Sequence, residues 1–339
     1  MKQSKFLRWI GVSTAACLMG FGAYADGAPV RAVESVAMTV GNLDTSRAFY
    51  EKVLKFEFVS DTEVSGEAYE HLYGVFGVRL RIVTLKLGDE TLQLEQFLAP
   101  QGRPFPVDSR SNDAWFQHVA IIVSDMDRAF AWLREHNVTF ASTGPQTLPL
   151  SNRQAAGISA FYFRDPDGHY LEVLHFPDDK GDPKWHQHGG PLFLGIDHTA
   201  IVVADTESSL KFYRDTLGLA IVGTSENYGT EQEHLNNVFG ARLRITTLHA
   251  ERGPGVEMLE YLTPRDGRAM PTDTRANDVW HWQVNFTADV ETVERGARAN
   301  HYRMISPGIV AEGGRKTTGL MLADPDGHAS LMESTPRPW

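Results

Sequence analysis

The sequence predicts an α+β protein of four βαβββ modules that pair into two curved, mixed-sheet cups. Three observations carry this. The chain repeats itself: VFGVRLRIVTL at 75–85 returns as VFGARLRITTL at 238–248, and DSRSNDAW at 108–115 returns as DTRANDVW at 273–280. Such self-similarity marks a duplicated architecture. Each half then divides again, because a strand pattern, an amphipathic helix and further strands follow one another twice within it. A single module leaves one face of its sheet uncovered, so modules must pair to close a core.

The first 25 residues read as a secretory leader. Lys2, Lys5 and Arg8 precede the apolar run 9–22, and Ala23-Tyr24-Ala25 is a small-residue cleavage site. The mature chain would begin near Asp26 and reside in a periplasm or outside the cell. The formal net charge is -11. It becomes about -14 once the three leader cations are gone. That acidic balance argues against nucleic acid as a partner, since phosphate binding needs a basic face. The one cysteine, Cys17, lies in the leader, so the mature chain has no disulfide and no thiol chemistry. No other segment is long and apolar enough to cross a membrane, so none is expected to hold the mature chain there.

The modules run 31–100, 112–177, 194–264 and 278–335. In the first, VESVAMTV alternates as a strand should, and LDTSRAFYEKVL sets Leu43, Phe49, Tyr50, Val53 and Leu54 on one helical face. Strands ending in LQLEQFL follow. In the second, HVAIIV, DMDRAFAWLREH, AFYFRD and YLEVLHF repeat the order. The first domain spans 31–177 and the second 194–335. The Gly-, Pro- and Asp-rich segment 178–193 joins them.

Four residues carry chemistry. His118 opens HVAIIV, Glu172 sits in YLEVLHF, His198 opens HTAIVV, and Glu257 sits in GVEMLEYL. Two imidazoles and two carboxylates suit a divalent metal (Zn, Fe(II), Ni, Mn or Co) and leave the site formally neutral. A carboxylate that loosens can take a proton beside a carbonyl, which makes Glu172 and Glu257 the candidate catalytic groups.

The segments HVAIIVSDMDRAF, FYRDTLGL and DPDGHYLEVL resemble the vicinal oxygen chelate superfamily, which includes glyoxalase I, extradiol dioxygenases, epimerases and bleomycin resistance proteins. The resemblance runs through all four modules. It implies tandem domains, with metal ligands on the first and last strand of a module and a metal that holds two neighbouring oxygens of a small-molecule substrate. Carried over, module one offers Ser35 and Gln93, module two His118 and Glu172, and module three His198 and Glu257. Module four offers Gln283 or Trp282, together with Leu331.

If neighbouring modules pair, each cup has half a site. If the middle modules pair, one cup has all four ligands and the other none that ionises; the symmetry of the losses favours this arrangement. The resemblance implies a glyoxalase- or epimerase-like lyase or isomerase working through a metal-stabilised enediolate. An Fe(II) extradiol-type dioxygenase and a non-enzymatic small-molecule binder are the alternatives. A glutathione-dependent reaction fits poorly outside the cytoplasm. Both cups can close within one chain, so a monomer or a homodimer is expected.

Other polar residues read as structural. Glu95, Glu260 and Glu333 are expected on outward faces, and His169 and His328 in turns. His186 and His188 are expected in a solvated linker, and Arg79, Arg81, Arg242 and Arg244 on outer strand faces. For His71 and His234, which recur before VFG, a loop at a cup mouth and a structural role in the repeat are equally expected. The pairs Asn112-Asp113 and Asn277-Asp278 read as turn signals.

Overall fold

A computed structural model describes residues 27–186, 189–311 and 318–334. The leader 1–25 and His188 lie outside them. Module one comprises β1 (Val30–Thr39), α1 (Leu43–Lys52), β2 (Glu57–Ser65), α2 (Glu67–Tyr73), β3 (Arg79–Leu87) and β4 (Glu90–Ala99). Module two comprises β5 (Gln117–Val123), α3 (Met126–Glu135), the short β6 (Thr139–Phe140) and β7 (Gln146–Thr147), β8 (Ser159–Arg164) and β9 (Tyr170–His175). Module three comprises β10 (Phe193–Val203), α4 (Thr206–Leu210), β11 (Ala220–Tyr228), α5 (Thr230–Asn236), β12 (Arg242–His249) and β13 (Gly255–Thr263). Module four comprises β14 (Trp282–Ala288), α6 (Val290–Ala299), β15 (Arg303–Met304), β16 (Val310–Ala311), β17 (Thr318–Ala323) and β18 (Ala329–Glu333).

The helices begin where the sequence supplies caps. The side chains of Asn42, Asp125, Asp205 and Asp289 each accept the backbone N–H three residues on. Such caps pair donors that the first helical turn leaves open. Helices α2 and α5 add to the βαβββ pattern. Each follows a glycine with positive φ, Gly66 or Gly229, and ends on a left-handed residue, Gly74 or Asn237.

Two nine-stranded sheets result. One runs β15-β17-β18-β14-β1-β4-β3-β2, with β16 on β17; the other runs β11-β12-β13-β10-β5-β9-β8-β6, with β7 on β8. Module one therefore shares a sheet with module four, and module two with module three. Of the two pairings open in the sequence, the structure takes the middle one. Each half of the chain still owns a helix-covered core. Val36, Tyr50, Val119 and Leu133 meet in the first half, and Phe212, Val256, Phe286 and Val293 in the second. The cups, by contrast, draw on both halves.

The linkers 100–115 and 265–280 lock the halves together by a reciprocal exchange. The Arg103 guanidinium donates to Asp278 at 2.7 and 2.9 Å and to Asp273 at 3.1 Å, and lies 4.6 Å from the Trp280 ring. Arg268 repeats this on Asp113 at 2.7 and 3.0 Å, on Asp108 at 2.8 Å and on Trp115 at 4.7 Å. Asp113 and Asp278 do shape their turns, but they are also the buried ends of these locks. The linkers pass so closely that a Cβ on Gly102 or Gly267 would overlap the carbonyl of Asn277 or Asn112.

The Asp-Pro-Asp-Gly turns hold buried histidines rather than exposed ones. His169 Nδ1 lies 2.9 Å from Asp165 Oδ2, and its Nε2 lies 2.7 Å from the Val279 carbonyl. Both partners only accept, so both ring nitrogens donate and the ring carries charge. Burial pulls its pKa down, but Asp165, Asp167 and the Val279 carbonyl together outweigh it and raise it to about 9. A raised folded value means stability that is fully present below about pH 6.5 and lost as pH rises through the folded pKa. The urea midpoint should fall between pH 6.5 and pH 9.5, by a loss on the order of 2–3 kcal/mol. A His169→Gln protein should lack that alkaline loss.

Candidate metal centre

The register of four strands assembles the site. In the antiparallel pair β10/β5, His198 faces Ala120 and Ala200 faces His118. In the parallel pairs, Ala120 lies beside Glu172 and Ala200 beside Glu257. Alternation puts all four functional side chains on one face of the sheet. The two alanines between them leave a gap where the side chains converge.

His118 Nε2 is 3.1 Å from Glu172 Oε2. His198 Nε2 is 3.8 Å from Glu172 Oε2 and 3.5 Å from Glu257 Oε2. His118, Glu172 and His198 are 1, 4 and 5% exposed, and their ligand atoms lie within 4.8 Å of one another. Glu257 is more open and stands outside that tight group. Its Oε1 accepts the Thr247 hydroxyl at 2.7 Å.

The donor set fits a divalent cation. Both ring nitrogens of His118 and Nε2 of His198 are buried without an aligned hydrogen bond, the 3.1 Å approach of Glu172 being an ion-pair contact only. Orphaned buried groups of this kind are costly unless something binds them. Burial pulls the His198 pKa down, but Glu257, Asp197 and Glu172 together outweigh it and raise it to about 10. The carboxylates thus call for positive charge here, which either a proton or a metal ion can supply.

Sequence reasoning missed the groups behind the ligands. Asp197 Oδ2 lies 2.9 Å from His198 Nδ1, and its Oδ1 accepts the Trp185 indole N–H at 3.1 Å. An outer carboxylate of this kind fixes the imidazole tautomer and turns Nε2 toward the gap. The signal was the acid directly before the histidine in GIDH. Trp185 had no signal beyond its place in the linker. His249, at the end of β12, is also close: its Nε2 would meet a Cβ on Gly255 at 2.8 Å. Burial lowers its pKa, so it adds no cation at neutral pH.

The other cup has the same register with different residues. Ser35 faces Asn285, and Ala37 lies between Gln283 and Gln93. Leu331 lies beside Asn285 as Glu172 lies beside Ala120. Gln283, not Trp282, therefore holds the position of His118. Asn285 donates to Ser35 Oγ and Gln93 Oε1, both at 2.9 Å, and so fills the gap that Ala120 leaves open. Ala120→Asn should transfer that plug. We expect it to keep the fold and abolish metal binding, read by circular dichroism and elemental analysis of the same sample.

Of the three glutamates expected on outward faces, two lie inward. Glu95 and Glu333 lie on the inward face with Gln93 and Leu331, and both are buried. Glu95 accepts from Tyr73 at 2.8 Å and from Gln283 at 3.3 Å. Glu260 faces outward but is buried under Arg244 and Arg265, at 3.2 Å each. Outward in register is therefore not the same as solvated, because long arginines cover the strand. His71 and His234 lie on exposed faces of α2 and α5 rather than lining a cup. His186 bonds the Lys180 carbonyl at 2.7 Å. Arg79 pairs with Glu63, and Arg81 pairs with Asp61 at 2.6 Å, on the outer face as expected.

A cavity of about 250 Å³ opens over the site, with Glu172, His198 and Glu257 in its wall.

The family model of the Glyoxalase/Bleomycin resistance protein/Dioxygenase superfamily matches residues 32–173 and 195–330. A 2-epi-5-epi-valiolone epimerase of Actinomyces sp is 33% identical over 152 residues, covering 43% of this chain and 80% of the relative. An uncharacterized protein of Escherichia coli, YaeR, is 28% identical over 144 residues, covering 42% and 95%. The crystal structure of glyoxalase I from Zea mays matches over 89% of this chain and 92% of its own, with a TM-score of 0.60 at 14% identity, a likeness of fold.

Proposed function

Because the chain belongs to the Glyoxalase/Bleomycin resistance protein/Dioxygenase superfamily, we propose that its middle cup binds one divalent metal ion and moves a proton beside a substrate carbonyl. His118, Glu172, His198 and Glu257 would hold the ion. The reaction would be that of a lyase or isomerase, with epimerisation the nearest case. The observation that carries this reading is the inequality of the two carboxylates. Both border the cavity, but Glu172 is held within the tight group, whereas Glu257 stands outside it and is the more exposed of the two.

When bound, a divalent ion supplies Lewis acidity at the carbonyl oxygen, which acidifies the neighbouring C–H. Glu257 is placed to take that proton on Oε2, while Thr247 steadies Oε1. Glu172 is the second carboxylate in the wall and can return a proton. Asp197 and Trp185 keep His198 turned toward the cup. The Actinomyces relative bears an epimerase name, which supports isomerisation over the alternatives.

A second reading rests on the same tight group. Two histidines and one carboxylate are also the set used for Fe(II) and oxygen. Elemental analysis of periplasmically expressed protein separates the two. Iron with oxygen uptake on catechols would favour the second. Zn, Ni, Co or Mn, with solvent deuterium entering small hydroxyketones, supports the first. Glu257→Gln, which keeps an amide oxygen toward the ion beside the three tight ligands, should then retain metal at saturating concentration and lose deuterium exchange; retained exchange would overturn its role as base. The proposed periplasmic location rests on the leader and predicts a mature N-terminus near Asp26.

A further inference from the structure

We propose that the middle cup selects an uncharged, hydroxyl-bearing carbonyl compound, and that the side-chain carbonyl of Gln232 reads one of its hydroxyl groups. This rests on the metal site proposed above and adds the substrate's charge class and a residue that recognises it.

The charge argument comes from the wall. Leu148, Ile158 and Leu174 from module two face Leu235, Ile245 and Leu259 from module three. Glu172, Glu257 and Asp197 are the charged carboxylates there, and no lysine or arginine lines the cavity among the described residues. A substrate carboxylate or phosphate lying away from the metal would be desolvated with no cationic side chain to pair it. Glu172 and Glu257 balance a divalent ion, and the third carboxylate, Asp197, is already held by His198 and Trp185, so no free carboxylate remains to pair a cationic substrate. The cavity of about 250 Å³ limits the compound to a small one.

The hydroxyl argument comes from a chain of hydrogen bonds with a fixed direction. The Tyr261 hydroxyl donates to the Ser111 carbonyl at 3.1 Å. It therefore accepts from Asn236 Nδ2, at 2.9 Å. Asn236 Oδ1 is thereby turned to Gln232 and accepts from its Nε2. Gln232 Oε1 is left as a free acceptor. It is buried without a hydrogen-bond partner in a residue that is 2% exposed and belongs to the cavity wall. Helix α5, which carries Gln232, is pinned across the cup by Ser142, whose hydroxyl donates to the Leu235 carbonyl at 2.6 Å. The acceptor is thus held in place before any ligand arrives. A ligand O–H completes it, whereas a methyl group or a carboxylate does not.

The test uses full-length protein reconstituted with cobalt and three hydroxypyranone chelators that differ at one ring position. Allomaltol carries a methyl group there, kojic acid a hydroxymethyl group and comenic acid a carboxylate. Cobalt content is measured first, then binding by titration calorimetry. We expect kojic acid to bind about tenfold more tightly than allomaltol, the worth of one hydrogen bond. Comenic acid should bind more weakly than either. In Gln232→Met the preference for kojic acid should vanish while allomaltol affinity holds. No cobalt would defeat the metal site itself. Full cobalt with comenic acid bound as tightly as kojic acid would overturn the charge class alone. Full cobalt with the hydroxymethyl preference absent, or unchanged in Gln232→Met, would overturn the role of Gln232. Should that variant not fold, the three-way comparison on the native protein still decides the charge class and whether the hydroxyl is preferred.

Discussion

Replacing either His118 or His198 by alanine should empty the proposed metal site completely, although the two residues come from different halves of the chain. The register that sets His198 beside Ala120, and His118 beside Ala200, puts both imidazoles on one gap. Loss of an outer-shell partner alone costs metal affinity about 10–100-fold, so loss of a ligand should cost more than that. Elemental analysis should find about one ion per native chain, as a single four-ligand set requires, and none in His118→Ala, His198→Ala or Glu172→Ala. Ser35→Ala and Gln93→Ala, at the matching positions of the other cup, should leave the metal content unchanged. Asp197→Ala should fall between, with weakened but measurable binding. Metal retained in full by either histidine variant would show that the cup does not hold the ion on these ligands.

The second large effect is expected far from the metal, at the crossed linkers. Asp113 accepts from Arg268 Nε and Nη2 and from the backbone N–H groups of Arg110 and Arg268. Its side chain has no exposed surface, whereas that of Arg268 is 38% exposed. Breaking a buried pair costs about 3–5 kcal/mol, and the lower end applies here because water can reach the guanidinium. Asp113→Ala should therefore lower unfolding stability by about 3 kcal/mol in urea titration. Asp278→Ala should do the same at the pseudo-equivalent lock. Combining Asp113→Ala with Arg268→Ala should cost less than the sum of the two single changes, since one interaction is then counted once. The pH dependence has a definite sign. Burial pushes both carboxyl groups up, but their arginines and backbone donors outweigh it and hold them below the usual carboxylate range. Stability from a depressed carboxyl is present above its unfolded value and lost as pH falls through the folded one. Acid should therefore loosen the locks, while alkali should strip the charge from His169.

Repetition made much of this legible. The duplicated segments announce four modules, and strand alternation places His118, Glu172, His198 and Glu257 at matching positions. The pairing of modules was not legible from local pattern, because β1 fits β14 and β5 by the same alternation. The symmetry of the lost ligands was the signal that favoured the middle pairing, and the sheets take it. The outer shell was hidden. Trp185 reaches Asp197 only after the linker folds back, and nothing in DDKGDPKWHQHGGP states that path. Glu95 and Glu333 were misread because a carboxylate in a strand suggests solvent, whereas the closed cup pairs Glu95 with Tyr73 and Gln283. The turn reading of Asp113 was correct as far as it went. A turn-capping carboxylate and an interdomain lock look alike until the second chain segment is in place.

The sheet that joins β1 to β14 has a consequence for how the chain reaches its native state. Val36 finds Val284 only after nearly the whole polypeptide has been made. Closing so long a loop before any contact rewards it makes folding slow. Until then β1 presents an unpaired strand edge, which is a template for self-association. The middle sheet needs no such wait, because β5 and β10 belong to adjacent modules. Assembly should thus run from the centre outward, with the site-bearing cup formed first and the plugged cup closing last around it. A chain truncated before module four would carry the four candidate ligands yet leave that edge open, and its fate should be aggregation rather than activity.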